Sequence, residues 1–79
     1  MTEQEAFDCI VTALENTLDE SVEITQDTDL IDEDILDSLD GMIFLLEIEN
    51  ATGKKLPEEI DLVEEGYYKI PKLQAFLIE

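Results

Sequence analysis

Three groups of residues in this chain have types that could do chemistry: scattered carboxylate pairs, an acidic run from Asp27 to Asp40, and a serine, Ser38, inside that run. Paired carboxylates can act as general acid and base. Here they have no histidine to complete a triad and no glycine-rich phosphate loop, and 79 residues leave little room for a closed pocket. They are read as solvated faces, and no enzyme activity is expected. Calcium is the second chemistry to test, because Asp27, Asp29, Asp32, Asp34, Asp37 and Asp40 lie close together. An EF-hand loop needs oxygen donors at its first, third and fifth positions, glycine at the sixth and glutamate at the twelfth. Counted from Asp32 these last three fall on Leu36, Asp37 and Ile43, and counted from Asp27 the fifth is Ile31. Neither frame works, so no specific metal site is expected, and only diffuse divalent binding fits the run.

Ser38 is the third candidate. A serine after aspartate at the start of an amphipathic segment is most simply a helix N-cap, and either Asp37 or Ser38 could serve. Its surroundings add to that reading. A long acidic segment precedes it, a strongly apolar helical segment follows it, and Leu56-Pro57 comes 18 and 19 residues later. A hydroxyl on an exposed helix N-terminus is accessible to a modifying enzyme. The unsatisfied backbone N–H groups and the positive end of the helix dipole at such a terminus favour negative charge.

The elements that place Ser38 are helical. Phe7, Ile10, Val11, Leu14 and Leu18 recur at helical spacing behind a Thr2/Glu5 capping box, which predicts a first helix over about 3–18. Between Asp19 and Asp37 the period is lost, and Val22, Ile24, Leu30-Ile31 and Ile35-Leu36 are expected to pin this long loop against the bundle. A second helix over about 38–52, ended by Gly53, carries Leu39, Met42, Ile43, Phe44, Leu45, Leu46 and Ile48. These cover more than the stripe a helix in a small bundle can bury, so some should stay at the surface and need a partner. Ser38, Met42 and Leu46 share one helical line, whereas Phe44, Leu45 and Ile48 are the better core candidates. Pro57 can open a short helical turn from Glu58 to Glu65, closed by Gly66. Pro71 opens a last helix with Ile70, Leu73, Phe76 and Leu77 facing inward. No segment alternates as a strand, so the chain reads as one all-α domain over residues 1–79, a bundle of three main helices plus one short one.

Composition bounds the rest. The formal net charge is −18, and residues 1–53 hold 16 acids and no basic side chain. That field repels nucleic acid and anionic membrane and attracts basic protein surfaces. It also repels itself, so stability is expected to be modest and to rise with salt or divalent cations. One cysteine rules out an intrachain disulfide, and no apolar run is long enough to span a membrane. The expected setting is a cytoplasmic monomer.

With its motif Asp37-Ser38-Leu39, the acidic loop before it and Gly53-Lys54-Lys55-Leu56-Pro57 after the second helix, the chain resembles the acyl carrier protein family over most of its length. The resemblance implies an acyl-carrier-like bundle that is a substrate of other enzymes. Ser38 would carry covalent 4'-phosphopantetheine from coenzyme A, flanked by Asp37 and Leu39. Asp40, Met42, Ile43, Leu46 and Glu47 would lie on the docking face. The implied partners are a phosphopantetheinyl transferase, an acyl- or aminoacyl-loading ligase and downstream acyl-transfer enzymes with basic docking surfaces. Thioester-bound intermediates would ride on the arm.

The run Ile35-Leu36-Asp37-Ser38-Leu39 looks more like free-standing carriers of D-alanyl or other aminoacyl groups than like the housekeeping fatty acid carrier. Ile43 stands where fatty acid carriers commonly have glutamate, which makes the docking face more apolar. The stretch from Pro57 to Leu73, with Tyr67-Tyr68, is longer than in typical fatty acid carriers. These departures favour a specialised pathway. Cys9, with no basic neighbour, is read as packing, as are the two tyrosines, which could alternatively wall a groove for cargo. The competing reading is a small acidic interaction protein that binds a basic partner by charge alone.

Overall fold

The computed structural model describes residues 1–57 and 61–78. It contains three helices, α1 (Glu3–Leu18), α2 (Ser38–Thr52) and α3 (Ile70–Ile78). Among the described residues there is no strand, only an isolated antiparallel bridge between Asp29 and Lys69. The first two helices fall where the apolar periodicity places them.

Local chemistry sets each boundary. The Thr2 hydroxyl accepts from Glu5 N at 3.1 Å while the Glu5 carboxylate accepts from Thr2 N at 2.9 Å, a complete capping box. These bonds to the charged form hold the Glu5 carboxyl below the usual carboxylate range. At the other end Asp19 takes the left-handed conformation (φ 57°), and its N–H reaches Glu15 O. α2 stops at Gly53, also left-handed (φ 75°), with its N–H on Glu49 O.

α1 is the shared surface on which both α2 and α3 pack. Its inward face is Ala6, Ile10, Ala13 and Leu14, and it meets Phe44, Leu45 and Ile48 from α2 and Ile70, Leu73 and Leu77 from α3. Phe76, expected inside, is only half-buried; Tyr67 packs edge-on against it with ring centroids 6.0 Å apart. Lys54 Nζ donates to Phe76 O at 3.1 Å and stands 5.8 Å from the Phe76 ring, and Lys72 stands 5.1 Å from the Tyr67 ring. Two of the four lysines therefore fasten the α2–α3 connection to α3.

The expected short helix is not formed in the residues described. Glu58, Glu59 and Ile60 lie outside them, and 61–66 make a single capped turn. Asp61 Oδ1 accepts from Val63 N and Glu64 N at 3.0 and 3.2 Å, and left-handed Gly66 (φ 79°) ends the turn. Its hydrogen bonds run Glu65 N to Asp61 O, Gly66 N to Val63 O and Tyr67 N to Leu62 O, so no helical repeat is established. Asp61, not Pro57, provides the cap.

The long loop is part of the core. Leu30 and Leu36 are buried as fully as the helix residues, with Val22, Ile24, Ile31 and Ile35 half-buried against the same cluster. Asp29 Oδ1 accepts from Ile31 N and Asp32 N, both at 3.0 Å, and Glu33 Oε2 accepts from Asp29 N at 2.9 Å. Leu30 N donates to Tyr68 O and Ile70 N to Thr28 O, which ties the loop to the start of α3. Replacing a loop leucine should therefore cost as much as replacing a helix core residue. Leu30→Ala is expected to destabilise by about 2–5 kcal/mol, whereas Leu39→Ala on the exposed side of α2 should stay within about 0.5 kcal/mol. Urea unfolding of the two variants checks this, and equal midpoints would contradict it.

Candidate functional site

The site is the N-terminal half of α2, and its first residue is Ser38. Asp37 is the N-cap: extended (φ −88°, ψ −175°), it accepts from Asp40 N on Oδ1 at 2.7 Å, and its carbonyl accepts from Gly41 N at 2.8 Å. Of the two residues that could cap, the one with the charged acceptor does so, which suits the positive end of the helix. Ser38 is left as the first helical residue, exposed, with a hydroxyl that makes no hydrogen bond to any described residue. The amides of Ser38 and Leu39 are likewise without partners among the described residues. An oxygen nucleophile and two unsatisfied donors thus sit together at a dipole-positive terminus, an arrangement that tolerates an added phosphate.

The structure brings the other expected residues onto one side of the same helix. Leu39, Met42 and Leu46 are 65%, 64% and 56% exposed, and Ile43 is 41% exposed. Leucine and methionine so exposed, contiguous at i, i+3 and i+4 spacing, form an apolar patch of the kind that marks an interaction surface. Asp37 and Asp40 flank its start and Glu47 its far end, the latter two half-buried. Phe44, Leu45 and Ile48 turn inward, so the helix separates a buried face from one left exposed among the described residues.

Beside the patch, α2 and the connection to α3 enclose an apolar groove of about 280 Å³, lined by Met42, Leu45, Leu46, Leu56, Leu62 and Tyr68. The Glu49 carboxylate at its edge accepts from Leu56 N at 2.8 Å and so secures the connection to α2. Tyr68 is buried, which pushes its phenol above the ordinary tyrosine range by desolvation. Its partner Tyr67 packs on α3, so the two tyrosines do different work.

Sequence reasoning did not anticipate Gly41, Leu45, Leu56 and Leu62 as parts of the site. Gly41 carried a readable signal, because a glycine inside a helical pattern weakens the helix relative to alanine and so asks for a local reason. Gln74 was also missed: it is buried in α3, and its Nε2 donates to Glu3 O at 3.0 Å.

Elsewhere the chemistry is sparse. Cys9 is half-buried between α1 and its neighbours, and desolvation pushes its thiol up, away from the reactive thiolate. Among the described residues no three Asp, Glu or Cys side chains converge as a metal site, and no described helix is long and apolar enough to cross a membrane. Comparison with protein-family models, with curated proteins and with solved structures finds no match.

The division of labour between Asp37 and Ser38 has a direct consequence. Asp37→Ala should cost about 1 kcal/mol, the usual worth of an N-cap, and Ser38→Ala should change stability by less than about 0.5 kcal/mol. Denaturant midpoints measure both, and the opposite ranking would place the cap on Ser38.

Proposed function

We propose that this chain is an acyl or aminoacyl carrier protein, with 4'-phosphopantetheine attached covalently to Ser38. The observation that carries the reading is the unused Ser38 hydroxyl at the head of an exposed apolar stripe. A serine that served only to cap α2 would have its oxygen on the helix amides, and here Asp37 occupies that place. The unpartnered amides of Ser38 and Leu39 could receive the phosphodiester oxygens. The three helices and the long loop that leads into Asp37-Ser38-Leu39 support the reading of an acyl-carrier-like bundle.

In this reading the chain's own residues position and present, and they do no bond-making. Asp37 holds the first turn of α2 in place so that Ser38 faces solvent. Leu39, Met42, Ile43 and Leu46 offer apolar contact to a partner, and Asp37, Asp40 and Glu47 select for basic residues around it. Bound phosphopantetheine supplies a terminal thiol, on which cargo is held as a thioester. The net charge of −18 speeds encounter with basic enzymes such as a phosphopantetheinyl transferase, a loading ligase and acyl-transfer enzymes. An independent catalyst is not proposed, since the site offers no acid–base pair. The apolar stripe favours this reading over a charge mimic, to which exposed leucine and methionine would contribute nothing.

Incubation with coenzyme A, magnesium and a broad-specificity phosphopantetheinyl transferase should add one phosphopantetheine to the wild type and none to Ser38→Ala, read by intact mass. No gain on a wild type whose helical circular dichroism is intact would contradict the carrier reading and leave the acidic interaction protein as the better one.

A further inference from the structure

Gly41 is the one glycine inside a described helix, and its φ is not positive, so the backbone there does not call for glycine. Glycine weakens a helix interior relative to alanine, and the side of α2 that carries it is occupied by Tyr68. A Cβ on residue 41 would fall 2.9 Å from the Tyr68 Oη and 3.2 Å from its Cε1 and Cζ, so the ring would have to move. Only 6% of Tyr68 is exposed. Its main chain is tied to the long loop, where Leu30 N donates to Tyr68 O at 2.9 Å. The bare backbone at Gly41 thus lets the hydroxyl end of an anchored ring rest on the first turn of α2, three residues from Ser38.

That hydroxyl is idle within the fold. It makes no hydrogen bond to any described residue, and the burial that raises its phenol keeps it protonated and able to donate. A polar group so placed costs stability until something bonds to it, and phenylalanine would fill the ring's space without that cost. The oxygen is nevertheless reachable, because no described side-chain oxygen or nitrogen is both sealed from water and unbonded. Two further donors belong to the same turn, the amides of Ser38 and Leu39, which have no partners among the described residues. Side chains three apart on a helix stand about 5–6 Å apart at Cβ, so a phosphate on Ser38 Oγ can reach the hydroxyl seated on residue 41. Asp37 and Asp40 carry negative charge beside this turn. An anion held there therefore needs donors, and Tyr68 supplies a third.

We infer that the Tyr68 hydroxyl donates to a phosphodiester oxygen of the group carried on Ser38, beside the amides of Ser38 and Leu39. The inference rests on the carrier reading and adds to it a residue from outside α2 that contacts the modification. Gly41 acquires a reason in the same step, since any side chain there would push the hydroxyl away. A hydrogen bond to an ionised acceptor is stronger than one between neutral groups, so modification turns an idle buried hydroxyl into a bond between the start of α2 and the segment that leads into α3.

The test compares the unmodified and phosphopantetheinylated forms of the wild type and of Tyr68→Phe, which keeps the ring and removes only the donor. A hydrogen bond of ordinary net worth moves the melting temperature of a domain this size by about 4–8 °C. The change in melting temperature on modification should be more favourable in the wild type than in Tyr68→Phe by about that amount, and the phosphorus NMR resonance of the phosphodiester should differ between the two. Gly41→Ala, which forces the ring to shift, should lose the same increment and serves if Tyr68→Phe folds poorly or resists modification. An equal change on modification in the wild type and in Tyr68→Phe would overturn the inference while leaving the carrier reading intact. A difference in melting temperature with an identical phosphorus resonance would put the hydroxyl on another part of the arm and overturn the assignment to the phosphodiester. Failure of wild-type Ser38 to accept the arm at all would instead defeat the carrier reading, and this inference with it.

Discussion

Burial of aliphatic side chains against α1 is the interaction on which the rest of the structure depends. A chain of net charge −18 repels itself, and with one cysteine it has no disulfide to offset that. In a domain this small the three helices alone would leave the core incomplete, since only about 60% of the unfolded surface can be removed from water. The 19–37 loop completes it. Leu30 and Leu36 enter the same cluster as Ile10, Leu14, Phe44 and Leu73, and the Asp29 and Glu33 carboxylates satisfy backbone amides that the loop would otherwise leave open. The acids of this loop are thus partly structural, which is why so dense a negative run can be ordered.

The same constraint fixes the site. Because Leu36 is buried and Asp37 caps α2, the chain enters the helix at a set angle with Ser38 just past the cap. Phe44, Leu45 and Ile48 are committed to the core, which leaves Leu39, Met42, Ile43 and Leu46 exposed, with none of the described residues covering them. An apolar stripe in water is a standing cost in solubility, here countered by the charge around it. That combination is what the proposed carrier role, with one face presented to a partner, would call for.

Much of this was legible in the residues. The Thr2/Glu5 box and the apolar period fixed α1, and Gly53 marked the end of α2, because caps and left-handed glycines act locally. The surplus of apolar residues on α2 announced an exposed face, and Ile43, Met42 and Leu46 are on it. What could not be read was set by tertiary contact. Whether Asp37 or Ser38 caps depends on which side chain reaches the Asp40 amide. The turn at 61–66 stays a turn because Asp61 and Gly66 bracket it too closely for a helix to propagate. Gly41 makes sense only once the Tyr68 ring, 27 residues later in the chain, is seen against it. Phe76 faces inward as expected and packs against the core, but it stays half-buried, with Tyr67 and Lys54 providing aromatic and cationic contacts on its outer side.

The central claim is that Ser38 is a site of modification and not a cap, and the most direct measurement is made on the protein as its own cells produce it. Purified without exposure to added transferase and fragmented intact in a mass spectrometer, the chain should carry a phosphopantetheine, with or without a thioester-bound group, on the fragment that contains Ser38. Native protein that is wholly unmodified at Ser38, while correctly folded, would contradict the account.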